Sequence, residues 1–198
     1  MSQHRDKVRG CEFIDRSLKE TPAQYIDLGA WPKRDCVRLP IVYCEWFDWS
    51  ELFSSGVVEK LASIVKGSSS EVIYASGLST DSSSAVPSTL RVTKIASNAL
   101  TGTYFKAIWD ESSMAPFGPL AAAARVTLMW DDSQEWLVIG DRCFEIGIFV
   151  VVAKDYPRTA KNVFHCLDEQ VLLDRFSRIL RINKVAARSE LRKWSEPA

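Results

Sequence analysis

The sequence predicts an α+β domain built on a mostly antiparallel sheet, and three observations predict it. Residues 125–153, RVTLMWDDSQEWLVIGDRCFEIGIFVVVA, hold three β-branched and aromatic runs separated by Asp131-Asp132-Ser133 and Gly140-Asp141-Arg142. Asp, Ser and Gly tolerate hairpin backbone angles, and the runs suit a pleated surface, so the segment reads as a three-stranded C-terminal meander. An apolar series at helical spacing follows the first strand candidate. A second such series closes the chain. The 198 residues are expected to form a single domain, divided into an irregular N-terminal arm (1–35), a sheet with one helix (36–153) and a long C-terminal helix (165–194).

The arm is punctuated by Pro22, Gly29 and Pro32, with a short strand or turn near 25–28. Residues 36–46 predict the first strand, with Val37, Leu39, Ile41 and Tyr43 on one face at period two. Pro40 has no ladder donor, which places this strand at a sheet edge or beside a bulge. Asp48 and Glu51 then match a relaxed capping box, and Leu52, Phe53, Val57, Leu61, Ile64 and Val65 continue at helical spacing to Gly67. Residues 71–76 and 89–96 predict strands on either side of a Ser-rich loop. Residues 103–109 fit either strand or helix, and 112–124, with Pro116, Gly118 and Pro119, reads as a long ordered loop. Tyr156-Pro157 ends the sheet. A helix begins near Asp168 and runs to about Trp194, with Val171, Leu172, Phe176, Ile179 and Leu180 as its stripe and Asp174–Arg178 as an i,i+4 pair.

The totals exclude several classes of function. Twenty-five basic and 25 acidic residues cancel, so no global field attracts nucleic acid or anionic lipid. The chain from Lys154 onward carries ten basic and six acidic residues, leaving 15 and 19 for the first 153. Cys11, Cys36, Cys44, Cys143 and Cys166 are odd in number and lack a CxxC pair, which argues against a disulfide framework and a zinc site. The polar N-terminus has no secretory h-region, and no apolar run reaches the roughly 18 residues of a membrane span. A cytoplasmic protein with reduced thiols is expected, with no membrane partner, cofactor or metal.

No catalytic motif stands out. HExxH, an EF-hand loop, GxxxxGK[ST] and GxGxxG are absent. A nucleophile needs a base within reach, and only His4 and His165 are available, His165 being beside Cys166. The carboxylates cluster as Glu45/Asp48/Glu51, Asp110/Glu111 and Asp131/Asp132/Glu135, arrangements that turns and helix caps also produce. Arg175, Arg178, Arg181, Arg188 and Arg192 could bind phosphates, but acids alternate with them, as on a solvated helix face. Seven tryptophans are many for this length. Trp46-Phe47-Asp48-Trp49 cannot turn all three rings into one core. An exposed Trp46 or Trp49 ringed by Glu45, Asp48 and Glu51 would anchor a basic partner.

The segment DDSQEWLVIGDRCFEIGIFVV, residues 131–151, resembles small bacterial immunity proteins of contact-dependent inhibition and other polymorphic toxin systems. The resemblance rests on an acidic turn, a strand with a central Trp, a Gly-Asp-Arg turn and an apolar strand. It implies a non-enzymatic inhibitor that blocks a cognate toxin domain, its acidic groups facing a basic cleft where the toxin is a nuclease. The expected contact residues are Glu45, Trp46, Asp48, Trp49, Glu51, Asp131, Asp132 and Glu135. Two other classes remain open: an enzyme using carboxylates or a Cys/His165 pair beside the 112–124 loop, and a nucleic-acid regulator acting through the C-terminal arginines.

Overall fold

The structure is a computed structural model that describes residues 10–68, 70–78, 89–114, 118–152 and 163–195. His4, most of the Ser-rich loop, Pro116 and the Tyr156-Pro157 stop lie outside the described residues. The chain is α+β: a seven-stranded antiparallel sheet with helices on both faces, the last two of them C-terminal. The strands are β1 (Cys11–Ser17), β2 (Tyr43–Asp48), β3 (Val72–Leu78), β4 (Thr89–Ala96), β5 (Val126–Asp131), β6 (Trp136–Asp141) and β7 (Ile146–Val151). Their order across the sheet is β1-β4-β3-β5-β6-β7-β2. No helix of the described residues is long and apolar enough to cross a membrane.

Strands β5, β6 and β7 pair in chain order, and every residue in them is buried. Burial on both faces explains their near-continuous apolar runs, where a half-solvated sheet would alternate. One face packs Trp130, Leu137, Ile139, Ile148 and Val150 under the N-terminal segment and the C-terminal helices. The other packs Met129, Trp136, Val138, Phe149 and Val151 under α1 (Val57–Ser68) and α2 (Leu100–Ile108). On that second face Gly77, Thr127, Gly140, Gly147 and Phe47 form one row across five strands. The glycines leave room for what lies above them. A Cβ at Gly147 would sit 2.3 Å from the Phe47 ring, and one at Gly140 2.6 Å from Leu52 and 2.9 Å from Trp49.

Several sequence expectations change. The 1–35 arm contains a true strand, β1, paired along its whole length with β4 from Cys11↔Ile95 to Ser17↔Thr89. Its charges, Glu12, Asp15 and Arg16, suit an edge that water reaches and leave no apolar alternation to mark a strand. The first predicted strand starts late, at Tyr43. Arg34–Cys36 is instead a 3-10 turn, and Val37 makes only an isolated bridge to Ile26. β2 does lie at a sheet edge. The helix expected from Asp48 begins as a separate 3-10 turn, Trp49–Phe53, before α1. Residues 100–108 are helical. The 112–124 loop contains a 3-10 turn, Glu111–Met114, and one short helix, α3 (Leu120–Ala123).

The long C-terminal helix is a helical hairpin, α4 (Glu169–Leu180) and α5 (Lys184–Ser195). Arg181 adopts the left-handed conformation, φ 52°, and stops α4 by donating its N–H to Ser177. Asn183 restarts the helix: its Oδ1 accepts the Ala186 N–H at 2.9 Å. Val171 is exposed, so Leu172, Leu173 and Phe176 carry the buried stripe of α4. Trp46 of β2 locks the hairpin in place. Its ring lies 5.0 Å from Phe176 and 5.1 Å from Trp194, and 6.0 Å from Trp31 of the N-terminal segment. Tilted and edge-to-face pairs of this kind add about 1 kcal/mol each beyond their buried area.

Candidate functional site

The residues expected to face a partner are mostly committed to the fold. Trp46 is 8% exposed, its ring enclosed in the aromatic cluster, so it offers no anchor. Trp49 is half-buried: it covers Gly140, packs 4.7 Å from Phe53, and its buried indole N–H has no hydrogen-bond partner among the described residues. Glu45, 3% exposed, points into the protein and accepts the Tyr43 hydroxyl and the N–H groups of Val163 (3.0 Å) and Phe164 (3.2 Å). Glu51 pairs with Lys60 and accepts the His165 N–H at 3.3 Å.

Asp48 accepts Ser50 N–H at 2.9 Å and holds Arg175 of α4 at 2.8 Å. Partial burial alone would raise its carboxyl, but the Ser50 and Arg175 bonds outweigh that and hold it below the usual range. Arg175 also donates to the Glu145 carbonyl. One arginine therefore ties α4 to the end of β2.

Asp131 is fully buried and organises the β5–β6 turn. It accepts from Ser133 Oγ (2.6 Å), Gln134 N (3.1 Å) and Trp136 Nε1 (2.7 Å). Asp132, exposed, takes the Ser70 hydroxyl, and Glu135 is half-buried. The register separates the two acidic groups. Tyr43, Val151 and Trp136 share one row beside this turn, whereas Asp48, Ile146 and Asp141 share the row at the other end. Five residues of strand, about 17 Å, lie between. The expected contact residues do not form one surface.

Glu45 and Glu51 instead do a structural job that the sequence did not announce. They hold residues 163–167 against the outer edge of β2, where Phe47 bridges Cys166 and Leu167 N–H donates to the Trp46 carbonyl at 2.9 Å. Phe164 stacks on Phe47 at 4.0 Å. This short strap covers the outward groups of β2.

The groups needed for a Cys/His site do not converge. His165 and Cys166 are consecutive in the strap, and the thiol of Cys166 is raised by burial and by the nearby Glu45 and Glu51 charges. Burial likewise pushes Cys11 and Cys44 up to about 11 and Cys36 to about 12, keeping them as thiols. The 112–124 segment packs Met114, Leu120 and Ala124 over Gly77, filling the sheet face there. Among the described residues, no three His, Cys, Asp or Glu side chains are placed to hold a metal ion.

Two exposed features remain. At the end of α2, Trp109 is 55% exposed, followed by half-buried Asp110 and exposed Glu111. Arg91 connects this corner to β1: its guanidinium bonds Asp15 at 3.1 Å and the Ser112 carbonyl at 3.2 Å. Asp15, 64% exposed, therefore joins the same acidic corner. An exposed tryptophan beside acids exists, but at Trp109 rather than at Trp46 or Trp49. The buried stripe of α2, Leu100, Thr103, Tyr104, Ala107 and Ile108, could have revealed it, because Trp109 falls outside that stripe.

The second feature is a groove of about 640 Å³ between α4, α5 and β2. Trp46, Leu167, Leu172 and Leu191 line it, with Glu169, Arg188 and Arg192 among its charged groups. Arg188 pairs with Glu169 at 3.1 Å, and Arg192 makes no ion pair among the described residues. The groove can receive an apolar group that carries negative charge.

The chain matches no protein-family model, no curated protein and no solved structure.

Proposed function

We propose that this protein is an inhibitor of the immunity type, which binds a cognate bacterial toxin domain and blocks it by covering its surface. The corner formed by Trp109, Asp110, Glu111 and Asp15 carries the reading. A half-exposed indole beside carboxylates is the combination that anchors a basic partner: the ring supplies a large, rigid apolar contact and the acids supply orientation. Asp110 and Glu111 also follow the C-terminal end of α2, whose dipole adds to the negative field. A toxin domain with a basic cleft, such as a nuclease, is the complementary surface.

The test uses the tagged protein as bait in a lysate of its own organism, followed by co-expression of the captured domain. The expected result is stoichiometric capture of the C-terminal domain of one secreted protein, whose toxicity co-expression suppresses. Trp109→Ala and Glu111→Lys should each weaken capture about tenfold or more without lowering the melting temperature. Capture that both substitutions leave unchanged rejects this surface. Absence of both capture and protection rejects the inhibitor reading.

A second reading follows from the groove. Arg188 and Arg192 above an apolar floor would suit an anionic ligand, and nucleic acid is the form of it that the arginine-rich hairpin suggests. A salt-dependent DNA or RNA shift, abolished by Arg188→Glu with Arg192→Glu, would favour that reading over the inhibitor.

A further inference from the structure

We propose that the open edge at β1 pairs with the same edge of a second copy, antiparallel, with the two-fold axis at Ile14. The argument is independent of the inhibitor reading and begins with the backbone. The Gly10 carbonyl accepts the Ala96 N–H at 3.0 Å. In an antiparallel ladder the direction of bonding alternates, so Gly10, Glu12, Ile14 and Arg16 turn toward β4. Cys11, Phe13, Asp15 and Ser17 turn their N–H and C=O groups outward. Among the described residues no backbone group bonds them from that side. β1 is the terminal strand of the sheet, pairs with β4 through all seven residues and contains no proline or lysine; the charges that guard it are Glu12, Asp15 and Arg16.

The side chains then select a register. A two-fold axis at Ile14 places Cys11 opposite Ser17 of the second copy and Phe13 opposite its Asp15. These four residues all point outward, so every inter-copy ladder bond can form. The same register places Glu12 opposite Arg16 of the second copy, and Arg16 opposite its Glu12. Both pairs occupy the non-bonded positions of the new ladder, where side chains approach most closely. Ile14 meets itself at the axis. In the single copy Glu12, 66% exposed, bonds Lys94 of β4, and Arg16 reaches inward over the Tyr74 ring of β3 at 4.4 Å, so both side chains turn outward to make the inter-copy pairs.

The neighbouring registers are worse. An axis at Asp15 sets that carboxylate against its own copy, a repulsive pair. An axis at Phe13 pairs only five residues and sets Glu12 against Ile14. Only the Ile14 axis uses the whole strand and makes two ion pairs. The contact is small. Seven residues span about 24 Å, and a strip one sheet thickness wide covers roughly 500 Å² over both copies, below the ~1,200 Å² of stable interfaces. The dimer is therefore reversible and dissolves on dilution.

Charge exchange tests it. In analytical ultracentrifugation the wild type should shift from monomer to dimer as concentration rises. Glu12→Arg and Arg16→Glu alone each replace two attractive pairs by two repulsive ones, and each should weaken self-association about tenfold or more. An equimolar mixture of the two variants restores both pairs in a heterodimer and should associate at least as well as the wild type. Thermal melts establish that each variant is folded. If R16E does not fold, E12R alone decides, since it must lose self-association. A wild type that stays monomeric over the whole range overturns the proposal. So does a dimer that E12R leaves unchanged, or a mixture of folded variants that fails to associate.

Discussion

At the β2 edge the chain folds back and covers its own outward groups; at the β1 edge nothing among the described residues does so. The strap at 163–167 gives β2 one ladder bond, Leu167 to Trp46, and one stacked ring, Phe164 on Phe47. Two glutamates complete it by accepting the amides of Val163, Phe164 and His165. On its side chains β1 carries the ion pairs Glu12–Lys94 and Asp15–Arg91, which contribute little singly, and the Arg16 stack on Tyr74, all of them turned toward the sheet. The difference separates acidic residues that the fold uses from acidic residues that it leaves to solvent. Glu45 and Glu51 are spent closing one edge. Glu12 and Asp15 remain in reach of solvent at the other.

The most damaging way to break the contrast is Glu45→Leu. It removes the carboxylate that accepts the Val163 and Phe164 amides, at a cost of about 3 kcal/mol, or a fall in melting temperature of roughly 6–12 °C. Hydrogen exchange should locate the new opening at Val163 and Phe164. Gly147→Ala attacks the same edge through packing, because the added methyl meets the buried Phe47 ring. It should cost about 2 kcal/mol by denaturant titration.

Asp48→Asn removes the tie between β2 and α4, and should cost about 1 kcal/mol at neutral pH. The carboxyl of Asp48 is lowered in the fold, so its contribution is complete above its unfolded value of about 3.9. It fades as pH falls through the depressed folded value. Melts of wild type and variant should therefore converge toward acid. The smallest effect belongs to the open edge: Asp15→Asn should change monomer stability by less than about 0.5 kcal/mol. A loss comparable to that of Glu45→Leu would erase the contrast.

The centre of the sheet was readable because its strands bury both faces and are bounded by Asp, Ser and Gly turns. Its edges were not. β1 mixes charged residues with apolar ones that remain only half-buried, so it carries no core signal. The break between α4 and α5 was hidden because Arg181, not a glycine, takes the left-handed conformation, although Asn183 was a visible restart. The acids near Trp46 look like surface groups in the sequence because local sequence cannot show what folds over them. Glu45 acquires its partners from 118 and 119 residues further along the chain. Trp109 was visible as a residue and only the helical phase of α2 shows that it faces outward.

Residue-resolved amide exchange, run on concentrated and on dilute protein, tests the contrast between the edges most directly. The account predicts that the strap amides of Val163, Phe164 and Leu167 are protected equally at both concentrations. It predicts that Cys11, Phe13, Asp15 and Ser17 exchange rapidly when dilute and gain protection when concentrated. Full protection of the β1 amides at high dilution would contradict it, because some part of the chain would then already cover that edge.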